Sequence, residues 1–224
     1  MKKLVAATAF FAALAGAGSA DAALYISQIY GGGGATASAP TYTNDWVELY
    51  NNGPTAVNLS GYSLQYASAT NTTMFAPGSN VFHALSGSIA ANSYFLIQEA
   101  GGGKVGGAAD PAYNLSGGPI ALSATAGKIA LFSSTATGAS TVATSANLVD
   151  LVGFGTSANF SLYPKMTANT STTTSALRTT DALGVVTFVA ATPVLPATPT
   201  PIPAAAWLLG SGLLGLAGIR RRNA

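Results

Sequence analysis

An all-β, antiparallel β-sandwich is the fold this sequence predicts, on three grounds. Apolar residues alternate with a period of two in short runs, most of those runs are bounded by Gly, Asn, Ser or Pro, and no segment outside the termini sustains helical spacing. About ten short strands punctuated by turns bury one face each most simply in two stacked sheets.

At the amino terminus, Lys2 and Lys3 precede an apolar stretch from Leu4 to Ala17, and Ala20-Asp21-Ala22 offers a small-x-small cleavage site before Ala23. Residues 1–22 therefore read as a helical signal peptide, with Ala20 and Ala22 presented to a signal peptidase. The sandwich is expected over 23–190. Its strands read as Leu24–Tyr30, Trp46–Tyr50, Ala56–Leu59, Tyr62–Tyr66, Val81–Leu85, Tyr94–Gln98, Ile120–Leu122, Lys128–Phe132, Leu148–Phe154 and Val185–Val189. Asn51-Asn52-Gly53-Pro54, between two of these runs, predicts a hairpin turn, because Asn and Gly tolerate the positive φ of tight turns.

Residues 191–203 form a Pro-rich linker, in which five prolines from Pro193 to Pro203 sit among small residues. Such a segment is stiff and joins neither sheet nor helix, so it acts as a stalk. Residues 204–219 are uncharged and mostly apolar, which predicts a single transmembrane helix. Sixteen residues at about 1.5 Å each span roughly 24 Å, and snorkelling arginines extend that toward the ~30 Å hydrocarbon core. Trp207 suits the headgroup layer, and no charge lies between Asp181 and Arg220. In the basic tail, 220–224, Arg220, Arg221 and Arg222 should stay cytoplasmic, which leaves everything upstream outside. The expected location is the inner membrane facing the periplasm, or the cell surface and medium after processing.

The stretch TPIPAAAWLLGSGLLGLAGIRRR, Thr200 to Arg222, resembles the carboxy-terminal sorting signals of the PEP-CTERM class. The resemblance implies a bacterial envelope protein that an exosortase cuts near the Pro motif. Here Pro201, Ile202 and Pro203 follow Thr200 where the nearest variant has Val-Pro-Leu-Pro. The upstream order NDWVELYN, AVNLSGYSLQY, SGSIAANSYFLIQ, GKIALF and VDLVGFG is similar to bacterial lamin tail domains, and LYISQIYGGGG and SALR (Ser175 to Arg178) extend the similarity over most of 24–190. That resemblance implies an immunoglobulin-like β-sandwich and supplies no shared catalytic residues.

Composition bounds the function. The formal net charge of +2 includes Lys2, Lys3 and the three tail arginines; residues 24–203 hold four bases (Lys104, Lys128, Lys165, Arg178) against six acids (Asp45, Glu48, Glu99, Asp110, Asp150, Asp181). An ectodomain near −2 has no basic patch for phosphates, so no nucleic-acid partner is expected. The absence of cysteine excludes disulfides and thiolate metal sites.

Few residues are candidates for chemistry. Asp45 and Glu48 are the closest acidic pair, but i, i+3 positions on a strand face opposite sides. Glu48 shares a face with Trp46 and Tyr50 and reads as a partly buried carboxylate hydrogen-bonded to loop backbone, with a cation ligand as the alternative. His83, the one histidine, has neither a second histidine nor a cysteine with which to build a zinc site or a nucleophile pair. Gly101-Gly102-Gly103-Lys104 lacks the Ser or Thr of a phosphate loop, and it reads, like Gly31 to Gly34, as a flexible end loop. Exposed tyrosines such as Tyr42, Tyr113 and Tyr163 could stack on sugars, while several of the nine tyrosines read as core or rim packing.

These observations point to a non-enzymatic module with no catalytic, cofactor or metal residues. It would be displayed on the envelope, bind an extracellular polysaccharide or protein through its end loops, and contact the membrane through its tail. The contrasting hypothesis is a hydrolase using Asp45, Glu48 or Asp150 with a divalent cation; a third is matrix cargo without a specific ligand.

Overall fold

The computed structural model describes residues 24–35, 40–72, 75, 78, 80–101, 110–136 and 146–195. The expected signal peptide with Ala20 and Ala22, the sorting residues Pro201, Ile202, Pro203 and Trp207, the membrane helix and the tail arginines lie outside the described residues. Among the described residues no helix is long and apolar enough to cross a membrane.

Eleven strands follow in order: β1 (Leu24–Tyr30), β2 (Asn44–Asn51), β3 (Val57–Asn58), β4 (Ser63–Ser68), β5 (Phe82–Ala84), β6 (Ser88–Ile89), β7 (Ser93–Gly101), β8 (Gly127–Phe132), β9 (Leu148–Phe154), β10 (Ser175–Thr180) and β11 (Val186–Ala191). They form a five-stranded sheet, β11-β10-β1-β2-β7, a four-stranded sheet, β5-β4-β8-β9, and a small β3-β6 pair. All their pairings are antiparallel. This is the expected all-β sandwich.

Register builds the core directly from the alternation. Ile26 pairs with Leu49 and Leu49 with Phe95, while Ile29 pairs with Val47 and Val47 with Ile97, so aliphatic rows cross the inner face of the larger sheet. They meet Leu64, Ile129, Leu131, Val152 and Phe154 from the smaller sheet in one buried cluster. Each such side chain removed from water contributes about 1.5–3 kcal/mol. A smaller cluster covers the outer face of the four-stranded sheet, where Phe75 packs edge-on against Phe132 at 5.9 Å.

The structure departs from the sequence reading at several elements. Ile120–Leu122 is not a strand; the chain from 114 to 120 runs beside β7 and touches it at separate points, including Ile97 with Leu115 and the Ala100 N–H to the Ile120 carbonyl. Pro119 has no N–H to extend that contact into a ladder. The run at Asn51 does turn, but it is not a hairpin. Both edges of β2 are already taken by β1 and β7, so β3 pairs with β6 instead. Asn51 fixes this departure: its Oδ1 accepts from the Gly53 N–H at 2.9 Å and its Nδ2 donates to the carbonyls of Thr55, Ile89 and Ala90.

Gly31 to Gly33 are not a flexible end loop either. A Cβ on Gly31 would sit 2.3 Å from the Ser123 carbonyl oxygen and one on Gly33 would sit 2.1 Å from the Asn44 carbonyl carbon. Glycine is required there by close backbone approach rather than by mobility. Of the second cluster, Gly101 ends β7 and residues 102–109 lie outside the described residues.

Candidate functional site

The outer face of the five-stranded sheet carries three rows of side chains across β1, β2 and β7. Their register is Tyr30–Trp46–Gln98, Gln28–Glu48–Leu96 and Tyr25–Tyr50–Tyr94. Strict alternation would send Tyr25 and Tyr30 to opposite faces, being five residues apart. A β-bulge between Ile26 and Gln28 corrects the phase and brings both tyrosines to the outer face.

The first row is roofed over. Trp46 stacks on Tyr30 at 5.5 Å, and Tyr42, Tyr113 and Leu195 pack onto this patch. The third row is open. Tyr25 and Tyr50 have ring centroids 5.5 Å apart, Tyr50 and Tyr94 are 4.5 Å apart, and Tyr94 is 43% exposed. Three neighbouring strands thus present an aromatic strip.

Between those rows lies Glu48, only 3% exposed. Its Oε1 accepts the Ser27 hydroxyl at 2.5 Å, while Oε2 has no hydrogen-bond partner among the described residues. Burial pushes its carboxyl up to about 7, with the Ser27 hydrogen bond pulling the other way. Glu48 lines a groove of about 430 Å³ together with Tyr25, Ser27, Tyr94 and Arg178. A second cleft of about 560 Å³ opens on the other side of Tyr25 and Arg178, and Asp150 and Tyr163 line it.

Arg178 divides the two spaces because β1 and β10 separate there. They pair only at Gln28–Leu177 and Ile29–Ala176, which leaves the earlier residues of β1 without a paired strand on that side among the described residues. The guanidinium of Arg178 fills the gap, 4.0 Å from the Tyr25 ring centroid and 4.8 Å from that of Tyr163. Its Nη1 donates to the Tyr163 hydroxyl at 2.9 Å, and that hydroxyl donates to Asp150 Oδ1 at 2.7 Å. Desolvation raises the Asp150 carboxyl, while the Ile26 N–H, the Tyr163 hydroxyl and Arg178 hold it down.

The other candidates named from the sequence lie apart from this strip. Asp45 is buried, with Oδ1 accepting from the Gly33 N–H and Oδ2 from the Leu122 N–H, both at 2.8 Å. Burial pushes it up to about 8 against those two bonds. Glu48 does share its face with Trp46 and Tyr50, but its partner is a side-chain hydroxyl rather than loop backbone. His83, on β5, bonds Glu99 through Nδ1 at 2.8 Å. Asp45, Glu48 and Asp150 are each engaged by different partners, and among the described residues no group of three or more His, Cys, Asp or Glu could hold a metal.

Tyr42, Tyr113 and Tyr163 are each half-buried in packing or hydrogen bonds, as Tyr25 and Tyr50 are, and the three-tyrosine row is a feature that the sequence alone does not show. Tyr25, Tyr50 and Tyr94 were present in LYISQIY, WVELY and SYFLIQ, but their alignment depends on strand register and on the bulge.

An immunoglobulin-like sandwich with one aromatic outer face is the class that fold and site define. The model of the Lamin Tail Domain family matches residues 17–156, and the chain belongs to that family. The match ends before β10 and β11, so Arg178 lies beyond it. No curated protein matches the chain. It is similar in fold to the crystal structure of a DUF4876 family protein from Bacteroides thetaiotaomicron, at 13% identity and a TM-score of 0.50, over 81% of this chain and 74% of that one.

Proposed function

We propose that this chain is an exported, non-catalytic binding module that holds polysaccharide on the Tyr25–Tyr50–Tyr94 strip. A signal peptidase would cut after Ala22. The Pro-rich linker would hold the sandwich off the membrane, and the 204–219 helix would anchor it until an exosortase acts near Pro201 to Pro203. No cofactor, metal or nucleic acid enters this reading.

The observation that carries it is the tyrosine row, which lines a groove through Tyr25 and Tyr94 and is open at Tyr94. Tyrosine rings offer broad apolar faces at low entropic cost to the flat C–H faces of sugar rings. The separation of Asp45, Glu48 and Asp150 weighs against the hydrolase, which needs titratable groups converging in one pocket.

The test uses the full-length protein in detergent on a panel of polysaccharides. Retention by at least one polymer, lost in a Tyr50→Ala, Tyr94→Ala double variant, supports the reading; retention by none rejects it. Mass spectrometry of the native protein tests the sorting part, because an amino terminus at Ala23 is expected and the carboxy terminus reports cleavage near Pro203 or retention of Arg222.

A further inference from the structure

Among the described residues Arg178 is the one base lining either cleft, and it lines both. All its hydrogen bonds among the described residues leave from Nη1, to Tyr163, Ile26 and Asp150. Nε and Nη2 are therefore without a partner among the described residues. Its side chain retains 15% exposure, while that of Asp150, its ion-pair partner at 3.5 Å, retains 2%. The acid is sealed by protein donors and the base opens toward the clefts. A guanidinium in contact with the Tyr25 and Tyr163 rings and bonded to the Tyr163 hydroxyl is restrained in position, which favours bidentate recognition of a planar anion.

Tyr25 forms one wall of both clefts and one end of the aromatic strip. Arg178 covers a face of the Tyr25 ring, so a sugar would sit against Tyr94 in the groove that Tyr94 and Arg178 both line, with its exocyclic substituent toward the guanidinium. A neutral hydroxymethyl group gains little there, whereas a carboxylate gains a charge-assisted pair of bonds.

We propose that Arg178 makes this face selective for acidic polysaccharide, with a uronate carboxylate held by the free guanidinium nitrogens and the sugar ring against Tyr94 in the shared groove. This rests on the polysaccharide reading of the tyrosine strip and adds the ligand class to it. Glu48, facing the groove from β2, and Asp150, behind Arg178, are the charged groups that oppose a carboxylate. Both are buried, and Asp150 is held by four protein donors.

The experiment compares one polymer in two states, polygalacturonate and the same material after carboxyl reduction, against the full-length protein in detergent. The acidic form should bind about tenfold more tightly, the size expected of a charge-assisted bidentate contact. That excess should shrink as salt rises from about 50 to 500 mM. Arg178→Lys, which keeps the charge but loses the fork, should lose most of the preference. Thr180→Glu, an exposed position lining both clefts, should weaken the acidic polymer at least about fivefold by like charge and needs no change in the core. Equal affinity for the two polymers, with both lost in Tyr50→Ala, overturns the role of Arg178 and leaves the strip intact. Binding of neither polymer, nor of any other on the panel, overturns both readings. An acidic preference unmoved by Thr180→Glu places the carboxylate elsewhere and also overturns it.

Discussion

Asp150 of β9 and Arg178 of β10 meet on the backbone of a single residue, Ile26 of β1. Asp150 Oδ2 accepts the Ile26 N–H at 2.8 Å, and Arg178 Nη1 donates to the Ile26 carbonyl at 3.4 Å. Where β10 leaves β1, two side chains take over the hydrogen bonds a neighbouring strand would have made. A buried N–H and C=O would otherwise be unpaired. This closure lets the sheet split without losing stability, and the split creates the cleft.

Asp150 accordingly contributes to the stability of the fold. Asp150→Ala leaves Arg178 without its counter-ion and the Ile26 N–H without an acceptor, and breaking a buried pair this way costs about 3–5 kcal/mol. Urea unfolding of the variant should show a lowered midpoint with an unchanged slope. A shift under about 1 kcal/mol would mean that water reaches Ile26 and that the closure is dispensable.

The tyrosine strip predicts the opposite behaviour. Tyr50 and Tyr94 touch each other on an open face, so truncating either to Ala should cost about 1 kcal/mol or less of stability, the size of an aromatic pair. Polysaccharide affinity should fall by about tenfold per ring, as truncation of an exposed aromatic anchor does at binding surfaces. Binding loss that tracked unfolding in a thermal melt would remove the distinction.

Glu48 makes stability depend on pH. Its carboxyl titrates at about 7 in the fold against 4.5 as its ordinary value. Between those values the folded protein holds a proton that the unfolded chain has lost. Stability is therefore greatest near the lower end of the window, falls as pH rises through it, and levels off above about 7. At about 1.4 kcal/mol per unit the whole change is on the order of 3 kcal/mol. Asp45, Glu99 and Asp150 are raised by burial too and slope the same way, so the readout is a difference. Thermal melts of wild type and Glu48→Gln should diverge from pH 5 to pH 7, with the variant flatter. Parallel curves would show that Glu48 is ionised throughout.

How much of this could be read from the residues depends on the range of the interaction. β1 and β9 are legible to the residue in LYISQIY and LVDLVGF, because alternation is a local property. β6 is two residues long and carries no period at all. β10 was visible only as the SALR motif, since its arginine interrupts the apolar pattern of an otherwise ordinary strand. The site failed to show for a different reason. Tyr25, Tyr50 and Tyr94 align only through pairings across three strands, and the bulge at Ser27–Gln28 changes the face on which half of β1 lies. Neither is encoded in spacing along one strand. Glu99 as the partner of His83 is likewise a contact between β7 and β5 that no local pattern announces.

Gly33 gives the sharpest contrast between reading glycine as freedom and as fit. A Cβ there would lie 2.1 Å from the Asn44 carbonyl carbon and 2.3 Å from the Asp45 nitrogen, and both atoms are backbone. Neither can move without shifting the start of β2. The same shift would break the Gly33 N–H bond to Asp45 Oδ1 and leave a buried carboxylate oxygen unsatisfied. Gly33→Ala should therefore cost at least about 2–3 kcal/mol, combining steric displacement with a lost buried hydrogen bond. Gly61 is the control: its φ of +92° disfavours a side chain, yet nothing lies within 4 Å of an added Cβ. Gly61→Ala should cost only the ~1–2 kcal/mol of placing an L-residue in the left-handed region. Urea midpoints measured side by side decide the matter. If Gly33 were merely loop slack, its variant would be the milder of the two, whereas backbone contact makes it the more damaging.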